Sequence, residues 1–163
     1  MTDYNVEVTR IVAAPVDTAY AAWTESDRVR QWWGPTGFTC PVARMDVREG
    51  GVSLVAMRAP AEFGGGDFYN TWTYTRVVPK ARLEYTMRFS TSDGTTISPA
   101  EAGVPGGVPE AVPHVVTFER IDDASCRISV TEYGYPGPAE RDLSQTGLEQ
   151  CLDKLEKALV TAS

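Results

Sequence analysis

Trp32-Trp33-Gly34-Pro35 is the stretch that most limits how this chain can fold. Indole is costly to leave in water and awkward to bury whole. Two indoles in succession before a Gly-Pro turn mark the end of a short helix that presses aromatic surface inward. A second turn signal follows at Asp46-Val47-Arg48-Glu49-Gly50-Gly51. Together the two constrain a fold, and they assign no reaction.

The apolar pattern around them supplies the elements. Tyr4, Val6, Val8 and Val12 share one parity and Glu7 and Thr9 the other, which predicts a first strand over about 3–13. Ala14-Pro15 ends it. Pro15 suits the first turn of a helix and Asp17 the positive end of its dipole. Val16, Ala19, Tyr20 and Trp23 then recur on one helical face. A second short helix, over about 26–33, starts near Ser26-Asp27 and ends at the Trp pair. Strand signals follow at roughly 37–47, 51–59, 68–78, 81–90, 114–121 and 125–133. The clearest sets Leu83, Tyr85, Met87 and Phe89 against Glu84, Thr86 and Arg88, an alternation that buries one sheet face and leaves the other wet. Gly50-Gly51, Gly64-Gly65-Gly66, Pro79-Lys80 and Asp122-Asp123 are the turns between them.

Residues 91–113 differ. Gly94, Gly103, Gly106, Gly107, Pro99, Pro105, Pro109 and Pro113 crowd this segment. Val104, Val108 and Val112 recur every fourth residue, but Pro105 and Pro109 preclude a regular helix. The prediction is a long loop over 91–113, with a lid as its functional reading. The chain closes with its longest helix, over about 138–161 after Pro136-Gly137-Pro138 and roughly 35 Å long at 1.5 Å per residue. Glu140 and Asp142 favour its start, Lys154 and Lys157 its end. Leu148, Cys151, Leu152, Leu155 and Leu159 form its apolar stripe.

The 163 residues suit a single domain, 1–163, and a hydrophobic content of 42% supports a core. A net charge of −7, with the arginines scattered singly, argues against nucleic acid and against an anionic membrane surface. No apolar run is long enough to span a bilayer. Cys40, Cys126 and Cys151 are odd in number and widely spaced, which reads as small buried hydrophobes in a reducing compartment. Met1-Thr2-Asp3-Tyr4-Asn5 has neither the basic start nor the apolar stretch of a signal peptide, so a cytoplasmic location is expected.

Strand, two short helices, about six strands and one long helix make an α+β chain. The set Ala13-Ala14-Pro15 then Val16, Trp23, Trp32-Trp33-Gly34-Pro35, Asp46-Val47-Arg48-Glu49-Gly50-Gly51, Val78-Pro79 with Arg82-Leu83, and Gly147-Leu148 with Leu152 and Leu155 resembles the activator-of-heat-shock-protein-ATPase-like family of the START/Bet v 1-like (SRPBCC) superfamily. The likeness spans 4–160. It departs at 91–113, where a shorter connection is expected. The resemblance implies a helix-grip fold: a curved antiparallel sheet of about six or seven strands, with a cavity between it and the long helix. It implies no single activity, since relatives include binding proteins, polyketide cyclases and co-chaperone domains.

The candidate cavity lining is Trp32, Met57, Trp72, Tyr74, Tyr85, Met87 and Phe118 from the inward faces, with Leu148, Cys151, Leu152 and Leu155 from the long helix. Core packing is the plainer role of each singly. Glu132 shares parity with Ile128 and Val130. A solvated strand end is its plainer reading, and if buried it needs a partner such as Arg76 or Arg88. His114, the sole histidine, is expected in a surface or structural role rather than as a general base. No zinc pattern, activated thiol, GxSxG elbow or phosphate loop is present; Gly64-Gly65-Gly66 reads as a hairpin turn. No catalytic residue, metal or cofactor is assigned. The leading expectation is binding of a small hydrophobic or aromatic molecule in an internal cavity. A polyketide cyclase/dehydratase-like enzyme and a co-chaperone-like interaction module are the alternatives, and a homodimer stays open.

Overall fold

The computed structural model describes residues 4–104 and 107–161. Seven strands form one antiparallel sheet: β1 Tyr4–Val12, β2 Thr39–Arg44, β3 Val52–Arg58, β4 Asp67–Val78, β5 Arg82–Ser90, β6 Ala111–Asp122 and β7 Ser125–Tyr135. Their order is β1-β7-β6-β5-β4-β3-β2. From β2 onward each strand pairs with its successor, and β1 adds to the edge left by β7. Two short helices, α1 Val16–Thr24 and α2 Ser26–Val29, connect β1 to β2, and the long α3, Pro138–Thr161, follows β7. This is the helix-grip arrangement: one helix laid across a curved antiparallel sheet.

Each predicted strand is present, with ends displaced by a few residues. Position 3 of the first predicted strand lies outside the described residues, as do Pro105 and Gly106 of the predicted loop. The second helix is shorter than the 26–33 expected. It ends at Val29 and continues as turns in which Trp32 and Trp33 both donate backbone N–H to the Val29 carbonyl.

The long loop also needs correction. β6 begins at Ala111, so Val112 and Pro113 are strand residues. Pro113 faces Thr86 of β5, while pairing of β6 with β7 starts one residue later, at His114. The missing proline N–H thus falls where β6 has a neighbour on one side only, where a strand tolerates proline. The described part of the loop carries its own bonds. Ser98 and Glu101 each accept the other's backbone N–H, and Ser90 bridges to Thr96.

The packed core sits at the α1–α2 end of the sheet. Trp23 and Trp32 lie 4.6 Å apart, and Trp32 donates its indole N–H to the Ala22 carbonyl at 2.8 Å. Trp72 stacks on Tyr85 at 4.8 Å. Leu152, Leu155 and Leu159 cap this cluster from the C-terminal half of α3. Two tethers fix the helix. Arg10 on β1 donates to Asp153 and Glu156, both at 2.9 Å. Lys154, expected only to favour the helix end, reaches sideways to the carbonyls of Gly34 and Phe38, both at 2.9 Å. That lysine ties the turn after the Trp pair to α3. Gln150 adds a third link by accepting the Thr36 N–H at 3.1 Å.

Candidate functional site

Sheet register builds the site. Tyr74 pairs with Tyr85, Tyr85 with His114, and His114 with Glu132, so four inward side chains stand in one row across β4–β7. Opposed residues on an antiparallel sheet hold their side chains in contact. His114 Nε2 accordingly lies 3.3 Å from Glu132 Oε2. His114 is 5% and Glu132 8% exposed. The imidazole is fixed on two further sides: its ring stacks on Tyr85 at 4.9 Å and 18°, and Nδ1 lies 2.9 Å from the Val112 carbonyl. A carbonyl only accepts, so Nδ1 carries a proton.

A bulge supplies the fourth polar group. Val6 through Val12 pair with Glu132 through Cys126 in unbroken register, but Tyr4 pairs with Tyr135, one residue too far. The extra residue lies at Tyr133-Gly134, and Gly134 has φ +94°. That conformation is open to glycine and resisted by other residues. The bulge resets the alternation, so Tyr133 and Gly134 are exposed while Tyr135 turns inward. Tyr135 then donates its hydroxyl to Glu132 Oε1 at 2.7 Å. Burial first, and the Glu132 charge second, push the Tyr135 phenol well above its ordinary value, which keeps it a donor.

The N-terminal half of α3 crosses above this row, with Ser144 within hydrogen-bond reach of the Tyr135 hydroxyl. A hollow of about 170 Å³ lies between them, with Trp33, Met57, Met87, Phe89, Leu148 and Cys151 as apolar wall and Asn70, His114, Glu132, Tyr135 and Ser144 as polar wall. A larger outer chamber of about 460 Å³ adjoins it, lined by Phe38, Phe68, Leu143 and Val104. Pro35, Met57, Asn70, Phe89 and Gly147 border both, so the two are continuous. Gly147 is a mid-helix residue, and a Cβ built on it meets nothing within 4 Å. The long loop contributes Val104 to the mouth.

Of the residues singled out from the sequence, Met57, Met87, Glu132, Leu148 and Cys151 line the hollow. Trp32, Trp72, Tyr74, Tyr85, Phe118, Leu152 and Leu155 stand in the packed core. Tyr85 touches the site through its stack on His114. Two expectations need correction. His114 is not at the surface: its register partner Glu132 draws it into the hollow, while its contacts with Tyr85, Val112 and Glu132 agree with the structural role expected of it. Glu132 is not a solvated strand end, and neither Arg76 nor Arg88 pairs with it. A one-residue shift between Tyr74 and Arg76 on β4 turns Arg76 outward to Glu84, 3.6 Å away. Arg88 has outward parity on β5, as Glu84 and Thr86 do.

Trp33, Asn70, Phe89, Tyr135, Ser144 and Gly147 were not foreseen. A usable signal existed for several. Asn70 shares parity with Trp72 and Tyr74, Phe89 with Met87, and Ser144 and Gly147 fall on the face of Leu148 and Cys151. The Trp33 and Asn70 side-chain nitrogens are buried without a partner. Burial pushes the Cys151 thiol up to about 12 and Cys40 up to about 11, which disqualifies both as nucleophiles. Among the described residues, no group of three or more His, Cys, Asp and Glu could hold a metal ion, and no helix is long and apolar enough to cross a membrane.

Chemically, the row sets an imidazole nitrogen against a carboxyl oxygen 3.3 Å away, inside the hollow. With Nδ1 turned to the Val112 carbonyl, His114 Nε2 and Glu132 Oε2 are the atoms of the pair that can accept a hydrogen bond from a guest or exchange a proton with it.

Comparison with known proteins agrees with this architecture. The sequence profile described as activator of Hsp90 ATPase homolog 1-like protein matches residues 13–160. Among solved structures, a Chromobacterium violaceum protein superposes with a TM-score of 0.76 at 23% identity, covering 95% of this chain and 96% of its own. A Rhizobium leguminosarum protein gives 0.71 at 24% identity, over 98% and 96%. The AHSA1 protein of Silicibacter pomeroyi gives 0.76 at 16% identity, over 98% and 100%. No curated protein matches the chain. A profile covering nearly every element from α1 to α3, on a helix-grip sheet, makes this chain a member of the activator of Hsp90 ATPase homolog 1-like family.

Proposed function

We propose that this protein binds a small, largely apolar molecule in the hollow between the sheet and α3. The observation that carries the reading is Gly147. Glycine in a helix interior costs about 0.5–1 kcal/mol relative to alanine, and here no neighbour requires it. Its missing side chain leaves open the passage from the apolar mouth to the polar row. The reading takes the location to be cytoplasmic, where the free, buried Cys40, Cys126 and Cys151 persist as thiols.

The test is a panel of lipophilic and aromatic compounds, followed by melting temperature and by fluorescence of Trp33. A true ligand at a hundred times its Kd stabilises by about 2.7 kcal/mol. Gly147→Leu fills the passage and abolishes the shift while the protein stays folded. A panel without any shift, or shifts that survive Gly147→Leu, overturns the reading.

The His114–Glu132 pair favours a second reading, a cyclase/dehydratase-like enzyme. A positioned proton acceptor in a dry hollow is what abstraction next to a carbonyl needs. Mass spectrometry of polyketide-like ketones after incubation separates the two. Ketones consumed by the native protein and spared by Glu132→Gln indicate catalysis; because an aldol closure alone conserves mass, only ketones unchanged in both mass and chromatographic retention indicate a binding protein.

A further inference from the structure

The geometry points to a hydroxyaromatic ligand, with one ring in the inner chamber and its O–H donated to the His114–Glu132 pair. This rests on the hollow being a ligand site. The hydrogen-bond inventory of the inner end is short. The Nδ1 proton of His114 is committed to the Val112 carbonyl, and the Tyr135 hydroxyl to Glu132 Oε1. What remains of the pair is Nε2 and Oε2, 3.3 Å apart, and on the same wall the Asn70 and Trp33 nitrogens are donors without a partner. The contact within the pair serves at most one lone pair of Oε2, and both residues are more than nine-tenths buried. Unserved acceptors and donors away from water cost free energy, so the complementary guest brings a group that both donates and accepts, as a hydroxyl does. A ketone or an ether only accepts.

Size and wall chemistry set the body. An apolar cavity of about 150 Å³ takes one benzene ring, and the inner chamber measures about 170 Å³. Its walls include the Met57 and Met87 thioethers and the rings of Trp33 and Phe89, surfaces that suit an aromatic guest. A charged donor is disfavoured, because an ammonium would shed its water against Met57, Met87, Phe89 and Leu148. An apolar substituent on the ring passes Gly147 into the outer chamber.

Calorimetric titration of the full chain with three probes decides the matter: 4-butylphenol, 4-butylanisole and 4-butylbenzylamine. The expected result is phenol at least tenfold tighter than anisole, with the amine weakest. In Glu132→Gln the new amide N–H serves His114 Nε2, so no acceptor is left. That variant loses the phenol advantage and keeps the anisole affinity. Equal affinities for phenol and anisole, or tightest binding by the amine, overturn the inference while leaving the hollow as a ligand site. No binding of these probes or of the wider panel overturns both. The comparison on the unmodified protein stands even if Glu132→Gln fails to fold.

Discussion

Gly147 is where stability and access to the hollow compete most directly. Its backbone is helical and a Cβ meets open space, so Gly147→Ala removes only the entropic penalty of glycine. Denaturant unfolding is expected to show Gly147→Ala more stable by about 0.5–1 kcal/mol. A destabilised variant would mean that α3 packs more closely there than the hollow allows. The cysteines make the opposite point. Cys151 borders the hollow, yet burial holds its thiol up at about 12, and Cys40 at about 11. At pH 8 both stay protonated and unreactive. A thiol-specific reagent such as DTNB is therefore expected to leave the native protein unlabelled over hours and to titrate all three cysteines once guanidinium unfolds it. Rapid labelling of native protein would show the hollow to be wetter and its thiols more acidic than the burial implies.

In β7, one glycine decides what the strand presents. Gly134 at φ +94° inserts the residue that turns Tyr135 inward. A side chain in that conformation costs about 1–2 kcal/mol. Gly134→Ala is expected to lose that much stability in urea unfolding and to weaken any phenol preference, because the Tyr135–Glu132 bond loses its support. Full stability in the variant would show that the bulge can re-form elsewhere. The same bulge explains what was legible in the sequence. Strand signals located all seven strands, and period-two alternation gave the inward face where it is unbroken, as over Leu83–Phe89 and Cys126–Glu132. It could not report an added residue. Tyr135 has the wrong parity for an inward residue until the Gly134 bulge is known, and Arg76 the right parity until the β4 shift is known. His114 has inward parity with Val116 and Phe118, but as the first residue of the predicted strand, just after Pro113, it read as a junction with the loop. Which opposed residues meet, His114 and Glu132 above all, is a property of register. Register depends on bulges, and bulges are set by single residues.

Taken over the whole fold, the ionisable groups make the two ends of the pH range unequal. On the acid side, hydrogen bonds from Arg58 and Arg82 hold Asp67 and Glu84 below the usual carboxylate range. A lowered folded value contributes stability above the unfolded value, near 4, and loses it as pH falls through the folded one. Both pairs are solvent-screened, so the acid loss is small. On the alkaline side, burial raises Cys40, Cys151, Tyr74, Tyr85 and Tyr135 together. A raised folded value contributes fully below the unfolded value, about 9 for thiols and 10 for phenols, and is lost as pH climbs towards the folded one. In that window the unfolded chain releases protons that the folded chain must keep, at up to about 1.4 kcal/mol per pH unit for each group. Urea midpoints are therefore expected to fall steeply between about pH 9 and 11, the thiols acting first and the phenols joining above about 10. The Cys40→Ala, Cys151→Ala double variant isolates the share of these two thiols, Cys126 keeping its own. Its stability is lower throughout because two buried side chains shrink, but the slope from about pH 9 to 10 should flatten. An unchanged slope would mean that these thiols ionise as readily inside the fold as outside it, and the interior beneath α3 would then have to be open to water.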